Sequence, residues 1–164
     1  MRKIIFFTLV LCSLAFMCNE PVFYDYTPVF MERSELENAV KLLPPNPIKN
    51  PGKIYIKDNY IYINERYKGF HVIDNSDPST PVNRAFLHID GCLDIAIKNN
   101  LIYADNAVDL IVIAIDPGLN MINVGGRVRN AFPEPSSPDG FWMTRSYEKY
   151  RPKNGIIVRW EKNQ

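Results

Sequence analysis

The nine residues Ile54-Tyr55-Ile56-Lys57-Asp58-Asn59-Tyr60-Ile61-Tyr62 recur 41 positions later as Ile95-Ala96-Ile97-Lys98-Asn99-Asn100-Leu101-Ile102-Tyr103. Within each copy the side chains alternate with a period of two, the period of a β-strand. Asp58-Asn59 and Asn99-Asn100 supply turn residues between the alternating runs, so each copy reads as a hairpin. The order continues in parallel. Phe70–Asp74 is a third strand, Asn75–Pro81 is dense in turn formers, and Arg84–Ile89 closes a fourth. In the second copy the run from Asp109 supplies the third strand, Asp116-Pro117 lies on Asp77-Pro78, and Val124–Val128 closes the unit. A unit of about 40 residues with four strands is the pattern of propeller blades or a related β array.

The expected fold class is therefore all-β. It comprises two four-stranded propeller-like blades, forming a partial β-propeller or an open β array, with one short N-terminal helix. The units span about residues 53–91 and 94–130. The helix is expected at Glu35–Leu42, because Ser34 and Glu37 form a capping box and Pro44-Pro45 and Pro47 end it. Residues 19–33 read as an irregular lead-in, and residues 18–52 together as a tether and capping helix. Residues 131–164 hold a Pro-rich loop and one further strand, Ile156–Trp160. Repeat units bury their faces against neighbours. Ile54, Ile56, Ile61 and Ile63 are thus expected to meet Ile95, Ile97, Ile102, Ile111 and Ile113, with the helix capping one side and the last strand the other. A closed propeller uses more blades than two, which leaves an open array, completion by another chain, or a shortened product.

The segment Gly69-Phe70-His71-Val72-Ile73-Asp74-Asn75-Ser76-Asp77-Pro78-Ser79-Thr80-Pro81 resembles the LVIVD repeat of bacterial and archaeal surface proteins, in which a strand ending in Asp precedes a Ser-Asp-Pro-x-x-Pro turn. The second copy, Asp109–Pro117, keeps the strand but has lost the Asp after it and shortened the turn. The resemblance covers about residues 53–130, and a lipoprotein-like start suits Bacteroidetes-type members. It implies a propeller-like β fold at the cell surface and no particular activity.

The N-terminus carries an address. Arg2 and Lys3 precede the apolar run Ile4–Met17, which Thr8 and Ser13 alone interrupt; residues 1–17 thus read as a signal peptide. The run is too short to span a bilayer. Leu14-Ala15-Phe16-Met17-Cys18 resembles a bacterial lipobox, with Cys18 as the lipidation site bearing a thioether lipid and an N-acyl chain such as palmitate. Met17 departs from the small residue usual before the cut. The expected location is the outer membrane or cell surface, lipid-anchored, because several acyl chains hold a protein stably where one does not.

Loss of Arg2 and Lys3 with the signal leaves 17 basic residues against 18 acidic ones. Without a basic excess, nucleic acid is not an expected partner. Expected partners are the membrane through its lipid, a protein or glycan ligand, and a second copy through an open sheet edge. If Cys18 carries lipid, Cys92 has no disulfide partner, and the fold must rest on its core.

No cofactor, metal site or catalytic residue is expected. His71 and His88 sit singly in strands, in no zinc-binding spacing, and read as strand-surface positions. Cys92, flanked by Gly91 and Leu93, reads as a small buried filler between units. The Asp74–Asp77 run has Ser79 where a calcium loop needs Gly and Ala85 where it needs Glu, and so reads as turn caps. Tyr55, Tyr60, Tyr62, Tyr67 and Tyr103 suggest either a stacking surface for glycans or peptides, or cross-strand pairs. The expected function is a surface-held structural or binding module and not an enzyme. The alternatives are a fragment of a propeller hydrolase or lyase, and a shortened homologue without a role of its own.

Overall fold

The computed structural model describes residues 25–116, 118–140 and 145–164. The signal segment and Cys18 lie outside the described residues. The described residues are mostly β, in three antiparallel sheets.

The first repeat forms strands β3 (Pro51–Lys57), β4 (Tyr60–Glu65), β5 (Gly69–Asp74) and β6 (Val82–His88). A short strand β2 (Lys41–Leu43) adds to β6, giving the order β2-β6-β5-β4-β3. The second repeat forms β7 (Ile95–Lys98), β8 (Leu101–Asn106), β9 (Asp109–Ile115) and β10 (Ile122–Val128), in the order β7-β8-β9-β10. The turn chemistry shows why the two hairpins form where they do. Asp58 has φ of 54°, and Asn99 and Asn100 have φ of 50° and 60°. These are left-handed positions that Asn and Asp tolerate better than β-branched residues.

Register decides which face meets which. Tyr55 pairs with Tyr62, Tyr62 with Val72, and Phe70 with Leu87, placing these side chains on one face of the first sheet. In the second sheet Ile95 pairs with Ala104 and Ala104 with Ile111, while Ile97 pairs with Ile102 and Ile102 with Ile113. These two faces pack together. Phe70, Leu87, Ile95, Ile102, Ile111 and Ile113 form one buried cluster, with Tyr55, Tyr62 and Ile97 against it. Tyr55 meets Phe70 edge to face at 6.2 Å. Each isoleucine so buried stabilises by about 1.5–3 kcal/mol.

The expected isoleucine-to-isoleucine packing is therefore corrected on the first sheet's side. Alternation sends Ile54, Ile56, Ile61 and Ile63 to the face opposite Tyr55 and Tyr62, and Ile54 and Ile56 are exposed. Two apolar sets alternate along these strands, and a period of two cannot say which set faces the neighbour.

Three further expectations are corrected. The lead-in is not irregular throughout: β1 (Tyr26–Glu32) pairs along its length with β11 (Gly155–Lys162), the strand expected at Ile156–Trp160. The helix, α1, runs over Arg33–Asn38 with Glu32 at its N-cap and no side-chain cap, so Ser34 does not cap it. The residues expected to finish the helix instead form β2, since Leu42 pairs with Leu87 and packs on the main cluster. For so short a helix, burial of Leu42 outweighs helix propensity. Finally, α1 and β11 do not cap opposite sides. Leu36 packs with Ile156 and Val158 on Ala107 and Val108, at the β8–β9 turn.

An ion cluster holds this third sheet to the second. Asp109, at the start of β9, has its side chain fully buried. Arg33 Nη1 donates to both its oxygens at 2.6 and 2.7 Å, Arg127 Nη1 donates at 2.7 Å, and the Asn130 amide at 3.0 Å. Burial alone would raise the Asp109 carboxyl, but these donors outweigh it and hold it below the ordinary carboxylate range. The Pro-rich loop is tied down similarly. Arg151 grips Glu134 bidentately, and Trp160 Nε1 donates to the Pro135 carbonyl at 2.8 Å. A short helix α2 (Arg145–Glu148) precedes β11. Among the described residues, no helix is long and apolar enough to cross a membrane.

Asp109→Ala strands two partly buried guanidinium groups and is expected to cost roughly 3–5 kcal/mol in chemical denaturation. Because the folded carboxyl titrates below its unfolded value, its contribution is present above about pH 4 and is lost as pH falls further. A wild-type protein whose acid unfolding matched that of the Asp109→Ala variant would contradict this.

Candidate functional site

The face of the second sheet turned away from the first carries Ala96, Tyr103, Val112 and Leu110 in adjacent register. The segment Phe132–Ser136 runs beside it, and the two enclose a groove of about 610 Å³ whose walls include Ala96, Tyr103, Leu110, Phe132, Pro133 and Pro135. Gly91, Asp94 and Asp105 also line it, so an apolar trough ends in carboxylates.

Those carboxylates are held by the segment that joins the two sheets. Asp105 accepts from the Leu93 and Asp94 amides, at 3.0 and 2.8 Å, and from Cys92 Sγ at 3.2 Å. Burial raises the Asp105 carboxyl above its ordinary value in spite of these donors. Asp94 in turn accepts from Tyr55 Oη and Lys53 Nζ on β3. The repeat explains the placement. Asn64 on β4 corresponds to Asp105 on β8, and Asn64 Nδ2 donates to the Cys92 carbonyl at 3.4 Å while Asp105 takes the next two amides. Both copies thus use this strand position to pin the same crossing. Gly91 allows the crossing to pass close: its φ is 76°, and a Cβ there would sit 2.8 Å from the Ala107 backbone.

Cys92 is buried and free, as its neighbours suggested. Burial, with the Asp105 charge beside it, pushes the thiol well above its ordinary value. A protonated thiol is neither a nucleophile nor a metal ligand.

His71 is not at the strand surface. It is fully buried, with Nε2 3.2 Å from Glu65 Oε2 and its ring 4.8 Å from that of Phe86. Glu65 also accepts from the Lys49 and Asn50 amides at 2.9 and 2.7 Å. Burial would raise this carboxyl, yet the donors bring it below its usual value. The pair therefore fastens the 44–50 segment over one end of the first sheet. His88 is half-buried, with Nε2 3.0 Å from Asp90 Oδ2. Asp74 and Asp77 cap turns: Asp74 accepts from the Ser76 amide and hydroxyl, and Asp77 from those of Ser79 and from Thr80 Oγ1. Among the described residues, no cluster of three or more His, Cys, Asp or Glu side chains could hold a metal ion.

The tyrosines do not share one surface. Tyr55 and Tyr62 face the inter-sheet core, while Tyr103 lies on the groove side of the second sheet. Sequence reasoning did not find the groove. Its signal was the substitution within the repeat of Ala96 for Tyr55, a missing ring that leaves space.

Residues 51–84 match the family model described as the LVIVD repeat. This stretch covers β3, β4 and β5 and enters β6. No curated protein and no solved structure matches the chain.

The buried thiol is expected to react with an aromatic disulfide reagent only as fast as the protein opens, and at once in denaturant. Rapid, stoichiometric modification of native protein would contradict its burial.

Proposed function

We propose that the chain is an exported, lipid-anchored surface protein whose two repeat sheets are propeller-like blades serving as a binding module. The reading rests chiefly on the order of parts: an apolar leader ending at Cys18, then a short polar, proline-bearing segment, then β1 from Tyr26. Seven residues, 19–25, separate Cys18 from that strand. Fully extended they reach at most about 25 Å, so a lipid on Cys18 keeps the β module against the membrane surface. The match to the LVIVD repeat supports the β-repeat part of this reading.

A binding role is favoured over catalysis by how the reactive side chains are used. His71 is committed to Glu65, Cys92 is buried beside Asp105, and the Asp74 and Asp77 carboxylates cap turns. The groove along Ala96, Tyr103 and Leu110 offers apolar area for a ligand.

Metabolic labelling with palmitate is expected to mark the wild-type protein and to be lost in Cys18→Ala, which should also accumulate with its leader uncut. Label persisting on Cys18→Ala would place the anchor elsewhere, and an unlabelled wild type would remove it.

A further inference from the structure

The groove on the second sheet holds one negative charge that its surroundings do not neutralise. Of the carboxylates lining it, Glu134 is gripped by Arg151, and Asp94 accepts from Lys53 Nζ and Tyr55 Oη. Asp105 meets only neutral donors: the Leu93 and Asp94 amides and the Cys92 thiol. Among the described residues, no lysine, arginine or histidine lines the groove or forms an ion pair with Asp105.

The crossing between the sheets does not call for that charge. The first repeat pins it with Asn64, a neutral side chain at the corresponding position. Burial already pushes the Asp105 carboxyl up, the direction expected of an anion without a counter-ion. A half-buried carboxylate without a cation is costly to keep, and in a cleft it marks a functional site. The rest of the groove fixes what would bring the cation. Tyr103 and Leu110 from the sheet and Phe132, Pro133 and Pro135 from the loop enclose about 610 Å³, enough for a compact ring-bearing molecule.

We propose that the groove binds a small organic cation, a protonated amine on an apolar ring-bearing body, with the ammonium at Asp105 and the ring along Tyr103 and Phe132. The ammonium donates to Asp105 Oδ2, which accepts from the Leu93 amide alone and has room for a second donor. A neutral hydroxyl in its place makes a weaker bond, because it brings no charge to the carboxylate. The ring enters beside Ala96, where the first sheet has Tyr55 at the corresponding position. The inference rests on the binding-module reading and names the chemical class of the ligand, but it does not depend on the lipid anchor.

The test titrates tryptamine and its neutral analogue tryptophol into the full chain as the cell processes it, followed by calorimetry and by the amide resonances of labelled protein. Tryptamine is expected to bind with a Kd of about 1 mM or tighter and to shift the Leu93 and Asp94 amide resonances. Tryptophol is expected to bind at least about tenfold more weakly. Asp105→Asn keeps an acceptor for those amides and is expected to bring tryptamine down to the tryptophol level. Ala96→Tyr, which restores the ring of the first repeat, is expected to exclude both. Asp58→Asn removes a carboxylate at a distant exposed turn and is expected to change nothing. Unchanged melting curves verify the fold of each variant; if Asp105→Asn does not fold, the ratio of the two ligands on wild type still reads the charge. Tryptophol binding as tightly as tryptamine would overturn the cation and leave the binding-module reading standing. Binding of neither ligand, tryptamine binding that survives Ala96→Tyr, or binding weakened as much by Asp58→Asn as by Asp105→Asn would overturn the groove as the site. Because palmitate labelling reads the anchor separately, failure of one reading is not mistaken for failure of the other.

Discussion

The packing of Ile95, Ile102, Ile111 and Ile113 on Phe70 and Leu87 is the contact on which the other parts of the molecule depend. Each of the two repeat sheets carries apolar side chains on both faces, and stacking on its neighbour covers one face of each. That stacking also sets the path of the crossing from β6 to β7. Asn64, Asp105 and Asn106 lie where they can satisfy its backbone, and Gly91 lets it pass. The polar side chains in this interior thus follow from the stacking and do not compete with it. Asn64, Asp105 and Asn106 each bond a backbone group that would be costly to leave unpaired.

The second organising contact is ionic. The β1–β11 sheet shares only a small cluster with the second sheet, built around Leu36, Val108 and Ile156. Asp109 and its two arginines add a directional fastening to that modest apolar area. A buried ion pair is seldom a large net source of stability against an apolar replacement, but losing one partner is expensive. Its effect here is to specify where the terminal strands sit. The Glu134–Arg151 pair does the same for the Pro-rich loop that forms one wall of the groove.

Much of the architecture was legible from alternation, and the reasons for the misses are specific. Hairpins at 51–65 and 95–106 followed from period two plus Asp and Asn at the turns, and the repeat placed the remaining strands within a few residues. Facing was not legible, because β3 and β4 alternate isoleucine with tyrosine and both sets are apolar. The fate of Lys41–Leu43 was hidden for a different reason: the partner of Leu42, Leu87, lies far along the chain, and a local capping pattern cannot report it. β1 was obscured by Pro28, which an edge position tolerates. His71 appeared exposed because its partner, Glu65, belongs to the adjoining strand and is itself satisfied by a loop. The groove was invisible in composition and became legible only once Ala96 was compared with Tyr55 in register.

The central claim is that one isoleucine set is buried between the sheets while Ile54 and Ile56, at the repeat-equivalent positions on the first sheet's edge strand, are exposed. Ile95 and Ile54 occupy corresponding positions, 5% and 61% exposed. The most direct measurement is urea unfolding of Ile95→Ala and Ile54→Ala. Ile95→Ala is predicted to cost about 2–5 kcal/mol, as for a core truncation, and Ile54→Ala no more than about 0.5 kcal/mol, as for a surface site. Equal costs, or a larger cost at Ile54, would contradict the account of which faces pack.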